Sequence, residues 1–363
     1  MMFSVAYFLL YFSVFQVLVF LLVFNRKKYA AQPADMPRVS ILIAARNEEK
    51  TIRRCLQAIE KLDYPKEKIE VLIGDDASTD ATRAVVEAFI QDKPNYTCIS
   101  IRETIGLARG KANVLAHLAK KATTNFYFCT DADIAVPPQW IRTMLAQVQE
   151  NTGIVTGVTT ITGKSLFARL QQVDWVYALG LMQVISDMGR PVSTMGNNML
   201  ITREAYEAVG GFENLEFSVT EDVVIFKHVL KEGFDFSNIY DRNVLAWSLP
   251  AGTLKNFLHQ RRRWMRGSMQ LPLYMKLILI MHAAYYPVWL PFFAYVSAST
   301  FFAVFGLKLV LQSLYIHICY KRLQLRPPWH LYLLFELYMI VSSVILILYF
   351  FMPGGVRWKG RTY

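Results

Sequence analysis

The chain has 363 residues, 54% of them hydrophobic, with a net charge of +11 and a mean hydropathy of +0.26; this leaves room for one large domain plus a membrane part. The basic residues gather beside apolar segments, at Arg26 to Lys28, Arg261 to Arg266, Lys321 to Arg326 and Arg357 to Arg361. That distribution suits anionic lipid headgroups and argues against a nucleic-acid partner. The four cysteines (Cys55, Cys98, Cys129 and Cys319) are scattered and form no CxxC pair, so neither a disulfide framework nor a zinc site is indicated, in agreement with a reducing compartment.

Phe3 to Phe24 carries no charged residue, and its length of about twenty residues matches the hydrocarbon core of a bilayer. It lacks a basic n-region and a small-residue cleavage site, so residues 1–28 read as a retained transmembrane anchor. Asn25-Arg26-Lys27-Lys28 then places the following segment in the cytosol by the positive-inside rule. Val39 to Ala44 reads as a buried strand, and Asn47 to Leu62 as a helix with Ile52, Leu56 and Ile59 on one face. Strands follow at Ile69 to Gly74, Thr97 to Ile101 and Phe126 to Thr130, with helices at Thr79 to Ile90 and Lys111 to Lys120, and Pro137-Pro138 opens another. This alternation predicts an α/β domain: βαβ units, a mostly parallel sheet and helices on both faces.

Leu166 to Met188 is an apolar-rich helical stretch that reads equally as a membrane-surface or acceptor-path helix and as a core helix. Gly196-Asn197-Asn198 and Gly210-Gly211-Phe212 bracket a short strand and helix. Leu271 to Cys319 and Trp329 to Met352 hold two or three further spans, with Tyr285-Tyr286-Pro287 and Gly306-Leu307-Lys308 as ambiguous points. No intramembrane charge pair is evident, which speaks against a transporter. The expected division is an anchor (1–28), a cytosolic domain (37–250), interfacial helices (251–283) and a C-terminal membrane region (284–363).

In such sheets ligands bind at the carboxyl ends of strands, where Asp75 and Asp131 both fall; Ser78 and Asp80 fit the simpler task of capping the next helix. Asp131 and Asp133 are two apart, so their carboxylates can converge. Two hard oxygen donors suit Mg²⁺ or Mn²⁺ bridged to substrate phosphates, which would neutralise a leaving diphosphate. Lys111, near a helix start, offers a cation and free N–H groups for phosphates, although by itself it reads as a surface lysine. Ser218-Val219-Thr220-Glu221 has the spacing of a capping box, with Glu221 turning back to the Ser218 amide. Asp222 is then left as a candidate general base in the first turn, the alternative being a second helix-start acid. Gln260, Arg263 and Trp264 share one helical face. The indole suits a sugar ring or lipid-borne acceptor, and Arg263 a diphosphate, while Arg261 and Arg266 belong to a basic collar at the membrane.

In this order Asp75-Asp76, Asp131-x-Asp133, Thr220-Glu221-Asp222 and Gln260-x-x-Arg263-Trp264 resemble the motifs of membrane-bound family 2 glycosyltransferases. That group has the GT-A fold and includes cellulose, chitin and hyaluronan synthases, with ceramide glucosyltransferases as close relatives. The likeness covers about residues 37–270. It implies an inverting transferase that uses a nucleotide-sugar, most often UDP-linked, and a divalent metal, Mg²⁺ or Mn²⁺. By motif match Asp75 and Asp76 contact the nucleotide, Asp131 and Asp133 the diphosphate and metal, and Asp222 is the base. Glu221, Gln260, Arg263 and Trp264 form the acceptor-side cluster. Ala44-Ala45-Arg46-Asn47-Glu48 looks like the family's opening nucleotide-binding turn, with the usual proline and tyrosine replaced and Glu48 retained. The ending Val356 to Tyr363 is similar to that of ceramide- and hopanoid-type single-sugar transferases.

Three or four spans are few for a polymer channel, so transfer to a membrane lipid or lipid-linked acceptor, at a bacterial inner membrane, is the leading expectation. A processive β-polysaccharide synthase is the alternative. An inactive GT-A domain acting as a nucleotide-sugar sensor or assembly partner is the rival from another class, and the full set of acids speaks against it.

Overall fold

Short apolar runs ending in turn residues become strands where the pattern predicts them. In a computed structural model of the chain, residues 1–26, 29, 35–326, 328–352, 357–358 and 361–362 are described. Lys27 and Lys28 of the basic flank, and Val356, Lys359, Gly360 and Tyr363 of the tail, lie outside the described residues. The strands are β1 (Val39–Ala45), β2 (Ile69–Asp75), β3 (Tyr96–Ser100), β4 (Phe126–Asp131), β5 (Thr152–Thr156), β6 (Val158–Ile161), β7 (Asn198–Thr202), β8 (Asp235–Asn238) and β9 (Leu245–Ser248). Seven of them form one sheet in the order β3-β2-β1-β4-β7-β5-β8. It is parallel except for β7, which runs antiparallel to both neighbours. β6 and β9 make a separate parallel pair.

Register brings the candidate acids to one edge. Ala44 lies opposite both Gly74 and Asp131, and Ala45 opposite Asp75. The helix Gly110–Lys121 packs its buried Val114, Leu115 and Leu118 on the sheet. Gly74 permits that approach, because a Cβ there would run into Val114 Cγ1. The helix Ile52–Glu60 buries the predicted stripe of Ile52, Leu56 and Ile59 but begins five residues later than the pattern placed it, since Asn47 sits at φ +53° and cannot be helical. The helix Thr82–Ile90 also starts late. Its N-cap is Ala81 and not Asp80 or Ser78; Asp80, one residue earlier, accepts the Thr82 N–H at 2.9 Å.

The buried amide of Asn198 ties several elements together. Its Oδ1 accepts from Trp140 Nε1 at 2.7 Å, and its Nδ2 donates to the carbonyls of Val158 and Val244, both at 2.9 Å. Asn198→Ala leaves three buried polar groups short of a partner and is expected to cost about 3 kcal/mol, read from chemical unfolding of the full chain in detergent. A loss under about 1 kcal/mol would show that the amide is dispensable.

Two compact units emerge, and neither is continuous in the chain. One comprises Lys28–Gly163, Ser193–Gly267 and Pro353–Tyr363 and holds the sheets; the other comprises Met1–Lys27, Lys164–Val192 and Ser268–Met352. Among the described residues of the second, four helices are long and apolar enough to cross a membrane: Met2–Phe24, Leu273–Tyr295, Ala298–Arg322 and Leu331–Phe351. The break in the ambiguous region falls at Val296 and Ser297, where the Ser297 hydroxyl caps the next helix at Thr300 N–H (3.2 Å). Phe8 packs on Phe292 with ring centroids 5.1 Å apart.

The helix Leu166–Asp187 belongs to this apolar unit and buries Gln171, Val173, Val176 and Gln183. Gly180 lets it approach Ala298–Arg322 closely, since a Cβ would meet Cys319 Sγ and Tyr315. The expectation of no intramembrane charge pair is overturned here. Lys308 and Glu336, 3% and 4% exposed, form an ion pair. Lys308 also donates to Gln312 Oε1 (3.3 Å) and the Tyr286 hydroxyl (3.4 Å), and Glu336 accepts from Tyr286 and from Gln312 Nε2 (2.7 Å). The two charges stand on different helices, so no local pattern in the sequence pairs them.

Candidate active site

At the carboxyl edge of the sheet the loops after β1 and β2 are stitched together. Two non-glycine residues take positive φ there, Asn47 and Ala77, a conformation held only where the surroundings over-determine it. Asn47 N–H donates to Ser78 Oγ (3.1 Å), and Thr79 N–H donates to Asn47 Oδ1 (2.9 Å). Glu48 N–H donates to Thr82 Oγ1 (2.6 Å), and Glu49 N–H to Asp80 Oδ2 (3.2 Å). Arg46 donates to the Asp76 carbonyl and lies 3.9 Å from Asp76 Oδ2. Glu48 accepts the Thr51 hydroxyl at 2.6 Å. The opening turn is therefore a scaffold beside Asp75-Asp76. A cavity of about 490 Å³ is lined by Asp75, Asp76, Ser78, Arg83, Arg102 and Asn113, among others, while Ala44, Arg46 and Glu48 are not in its lining.

Arg109 and Gly110 line this cavity and a second, smaller one of about 60 Å³, which also has Lys111, Asp131, Phe217, Glu221 and Arg263 in its wall. The hinge between the two is the first turn of Gly110–Lys121, with Gly110 at φ +56°. Lys111 is no surface lysine. Only 12% exposed, it lies 2.6 Å from Asp131 Oδ1 and 3.2 Å from Glu221 Oε1, and donates to the Gly196 carbonyl at 3.1 Å. Burial opposes its charge, but Asp131 and Glu221 outweigh it, so the ammonium's pKa is raised. Burial pushes the Glu221 carboxyl upward, with Lys111 working against that shift.

The capping box is not formed. The helix is Glu221–Lys231 with Thr220 at its N-cap, and Ser218 Oγ accepts the Thr220 N–H at 3.1 Å. Glu221 is the first helical residue, so it does not fold back on Ser218 but pairs with the buried ammonium. Asp222 does have a structural anchorage: Oδ2 accepts the Gly196 N–H at 2.9 Å and Oδ1 the Val223 N–H at 3.0 Å. Those bonds use two of about four lone-pair sites on the carboxylate. Gly196 is fitted to that contact, since a Cβ would lie 2.9 Å from Asp222 Cβ.

The second acid of the Asp131-x-Asp133 pair is held from the other side. Asp133 Oδ2 accepts from Ser248 Oγ at 3.4 Å, and the Asp133 carbonyl accepts from Arg54 at 2.9 Å. Sequence reasoning passed over Arg54, whose spacing marks it only as one more polar residue on a helix.

The helix Leu254–Ser268 lies against this corner. Gly267 is buried, and a Cβ there would stand 2.6 Å from Thr220 Cγ2. Arg263 donates to the Val219 carbonyl at 3.3 Å and joins the smaller cavity. Gln260 and Trp264 line neither cavity. The Arg261 guanidinium stacks over the Trp264 ring, 4.5 Å from its centre, and near Phe257 at 5.1 Å. The expected three-residue face thus delivers one side chain to Lys111, Asp131 and Glu221, and keeps its indole with a neighbouring arginine.

The chain is similar to several known proteins. The chain is 27% identical over 250 residues to a poly-beta-1,6-N-acetyl-D-glucosamine synthase of Staphylococcus epidermidis, covering 67% of this chain and 58% of that one. It is 26% identical over 253 residues to the probable glycosyltransferase YdaM of Bacillus subtilis, covering 67% and 58%. The chain thus spans somewhat under three-fifths of the length of these curated relatives. Among solved structures, the mannosyltransferase PcManGT of Pyrobaculum calidifontis, in complex with GDP-Man and Mn²⁺, superposes with a TM-score of 0.62 over 95% of this chain and 97% of that one, at 18% identity. The likeness shows a common fold, the GT-A sheet expected from the alternating strands. The model of the family described as Glycosyl transferase family 21 matches residues 5–363, anchor and tail included. With the match running across nearly the whole chain and the strand-end acids gathered on one sheet edge, this protein belongs to glycosyl transferase family 21.

Proposed function

We propose that this protein is a membrane-bound, inverting hexosyltransferase that moves a sugar from a UDP-linked donor to a membrane lipid or lipid-linked acceptor. The observation that carries this reading is the position of Lys111, in the wall of the smaller cavity next to Gly110, which lines both, and bridging Asp131 to Glu221. The larger cavity has the size of a nucleoside site, with Asp75 and Asp76 in its wall. A diphosphate crossing Arg109, Gly110 and Lys111 meets free N–H groups at a helix start, an ammonium and the Arg263 guanidinium. The sugar then lies toward Glu221 and Asp222.

Asp131 and Asp133 are the residues that would hold Mg²⁺ or Mn²⁺. Among the described residues no third His, Cys, Asp or Glu joins them, so donor phosphates and water complete the shell, as hard divalent cations accept. When bound, the ion offsets charge on the diphosphate. The remaining chemistry belongs to the chain. Asp222, oriented by the Gly196 and Val223 amides, takes the proton of the acceptor hydroxyl as its oxygen attacks the anomeric carbon. The bond from that carbon to the diphosphate oxygen breaks, and UDP leaves with the electron pair. Lys111 and Arg263 lie where that charge develops.

The four apolar helices support a membrane acceptor, and Arg26 at the end of the first supports a cytosolic catalytic side. The name of the Staphylococcus relative favours a second reading, polymer synthesis. The test is to incubate membranes carrying the protein with radiolabelled UDP-glucose and UDP-N-acetylglucosamine and then extract lipid. Label in the organic phase is the expected result. Label in ethanol-insoluble polymer favours the second reading, and no incorporation from either donor overturns the first.

A further inference from the structure

Arg54 joins two strands of chain that are far apart in sequence. From the helix Ile52–Glu60, its Nη1 donates to the Asp133 carbonyl and its Nη2 to the Trp247 carbonyl, both at 2.9 Å. Trp247 is already paired with the same loop, exchanging two backbone hydrogen bonds with Ala135, each 2.9 Å. The next residue, Ser248, reaches the Asp133 carboxylate. The turn after β4 is closed internally by the Ile134 N–H on the Asp131 carbonyl at 3.0 Å. The loop bearing both acids is thus fixed at three points: on itself, on β9, and on a guanidinium spanning the two.

We infer that Arg54 is a positioning residue for the donor site: its planar fork sets the height of Asp133 relative to Asp131 and so the ability of the pair to share one divalent cation. This rests on the reading of Asp131 and Asp133 as metal-holding acids. A guanidinium presents two parallel donors in fixed geometry, whereas an ammonium is a point charge on a flexible stem. The former holds two carbonyls on different chain segments at a spacing set by its rigid plane, which a rotating ammonium does not impose. A backbone shift of a fraction of an ångström at residue 133 moves its carboxylate directly, and outer contacts of this kind typically change metal affinity 10- to 100-fold, roughly, when lost.

The test uses the full chain in detergent, with Mn²⁺ titrated in the presence of UDP and free Mn²⁺ read by electron paramagnetic resonance. UDP affinity in EDTA is measured alongside as a metal-free reference. Arg54→Gln is expected to weaken Mn²⁺ binding about 10- to 100-fold while UDP affinity in EDTA stays at the wild-type value. Arg54→Lys, which keeps the charge and loses the fork, is expected to give the same loss. It carries the test alone if the glutamine variant does not fold. Wild-type Mn²⁺ affinity in Arg54→Gln, or full rescue by Arg54→Lys, overturns the fork. Absence of UDP-linked Mn²⁺ binding in the wild-type protein overturns the donor-site reading and the inference with it.

Discussion

Asp222→Asn is expected to lower sugar transfer by about 10²- to 10⁴-fold while UDP affinity stays within about twofold of the wild type. The carboxylate stands one residue from Glu221, which pairs with Lys111, and itself accepts from the Gly196 and Val223 amides. Under the proposed mechanism its part is proton transfer rather than holding the nucleotide. Asparagine keeps the shape but brings an NH₂ group toward one of two N–H donors, a local loss of about 1 kcal/mol. That is too small to account for the expected rate change, and thermal melting measures it separately. Transfer within tenfold of the wild type would remove Asp222 from the role of base.

Lys308→Met and Glu336→Leu, made singly, are each expected to destabilise the apolar unit by about 3–5 kcal/mol, and the double variant to recover most of that loss. Each single change leaves one charge among Tyr286, Gln312 and apolar helix surface. The double change removes both charges, and a hydrophobic pair of similar volume often packs as well as the ion pair did. A double-mutant cycle from unfolding in lipid nanodiscs gives the coupling directly. Additive losses would mean that the two residues act independently and that the network does not hold the helices together.

What the sequence made legible were features with a period or an address. The strands through β4 were written as apolar runs, and their register brought Asp75 and Asp131 level with Ala45 and Ala44. The stripe of Ile52, Leu56 and Ile59 was right although its helix began late, because a side-chain pattern does not record the positive φ at Asn47. Tertiary pairings were not legible. The spacing of Ser218 and Glu221 fits a local cap, but a buried ammonium more than a hundred residues earlier in the chain competes for the same carboxylate and wins. Lys111 looked ordinary for the same reason: its burial is set by Asp131, Glu221 and Gly196, none of them its neighbours. The Arg54 guanidinium bonds to two main-chain carbonyls, and a carbonyl leaves no trace in a residue pattern. Gly196 reads as a turn glycine, while the structure gives it the narrower task of leaving space for Asp222.

The placement of Leu166–Asp187 has a consequence for how this protein is made. β1 to β6 precede that helix, β7 to β9 follow it, and Ala298–Arg322, whose Tyr315 and Cys319 meet Gly180, is translated later still. A nascent chain therefore completes its sheet while carrying an apolar helix whose two C-terminal partners, Ala298–Arg322 and Leu331–Phe351, have yet to leave the ribosome. No cut that keeps β4 joined to β7 can discard the helix, because it lies in the connection between them. Trimming the membrane segments from both ends would leave that helix without its apolar partners and yield a sticky fragment.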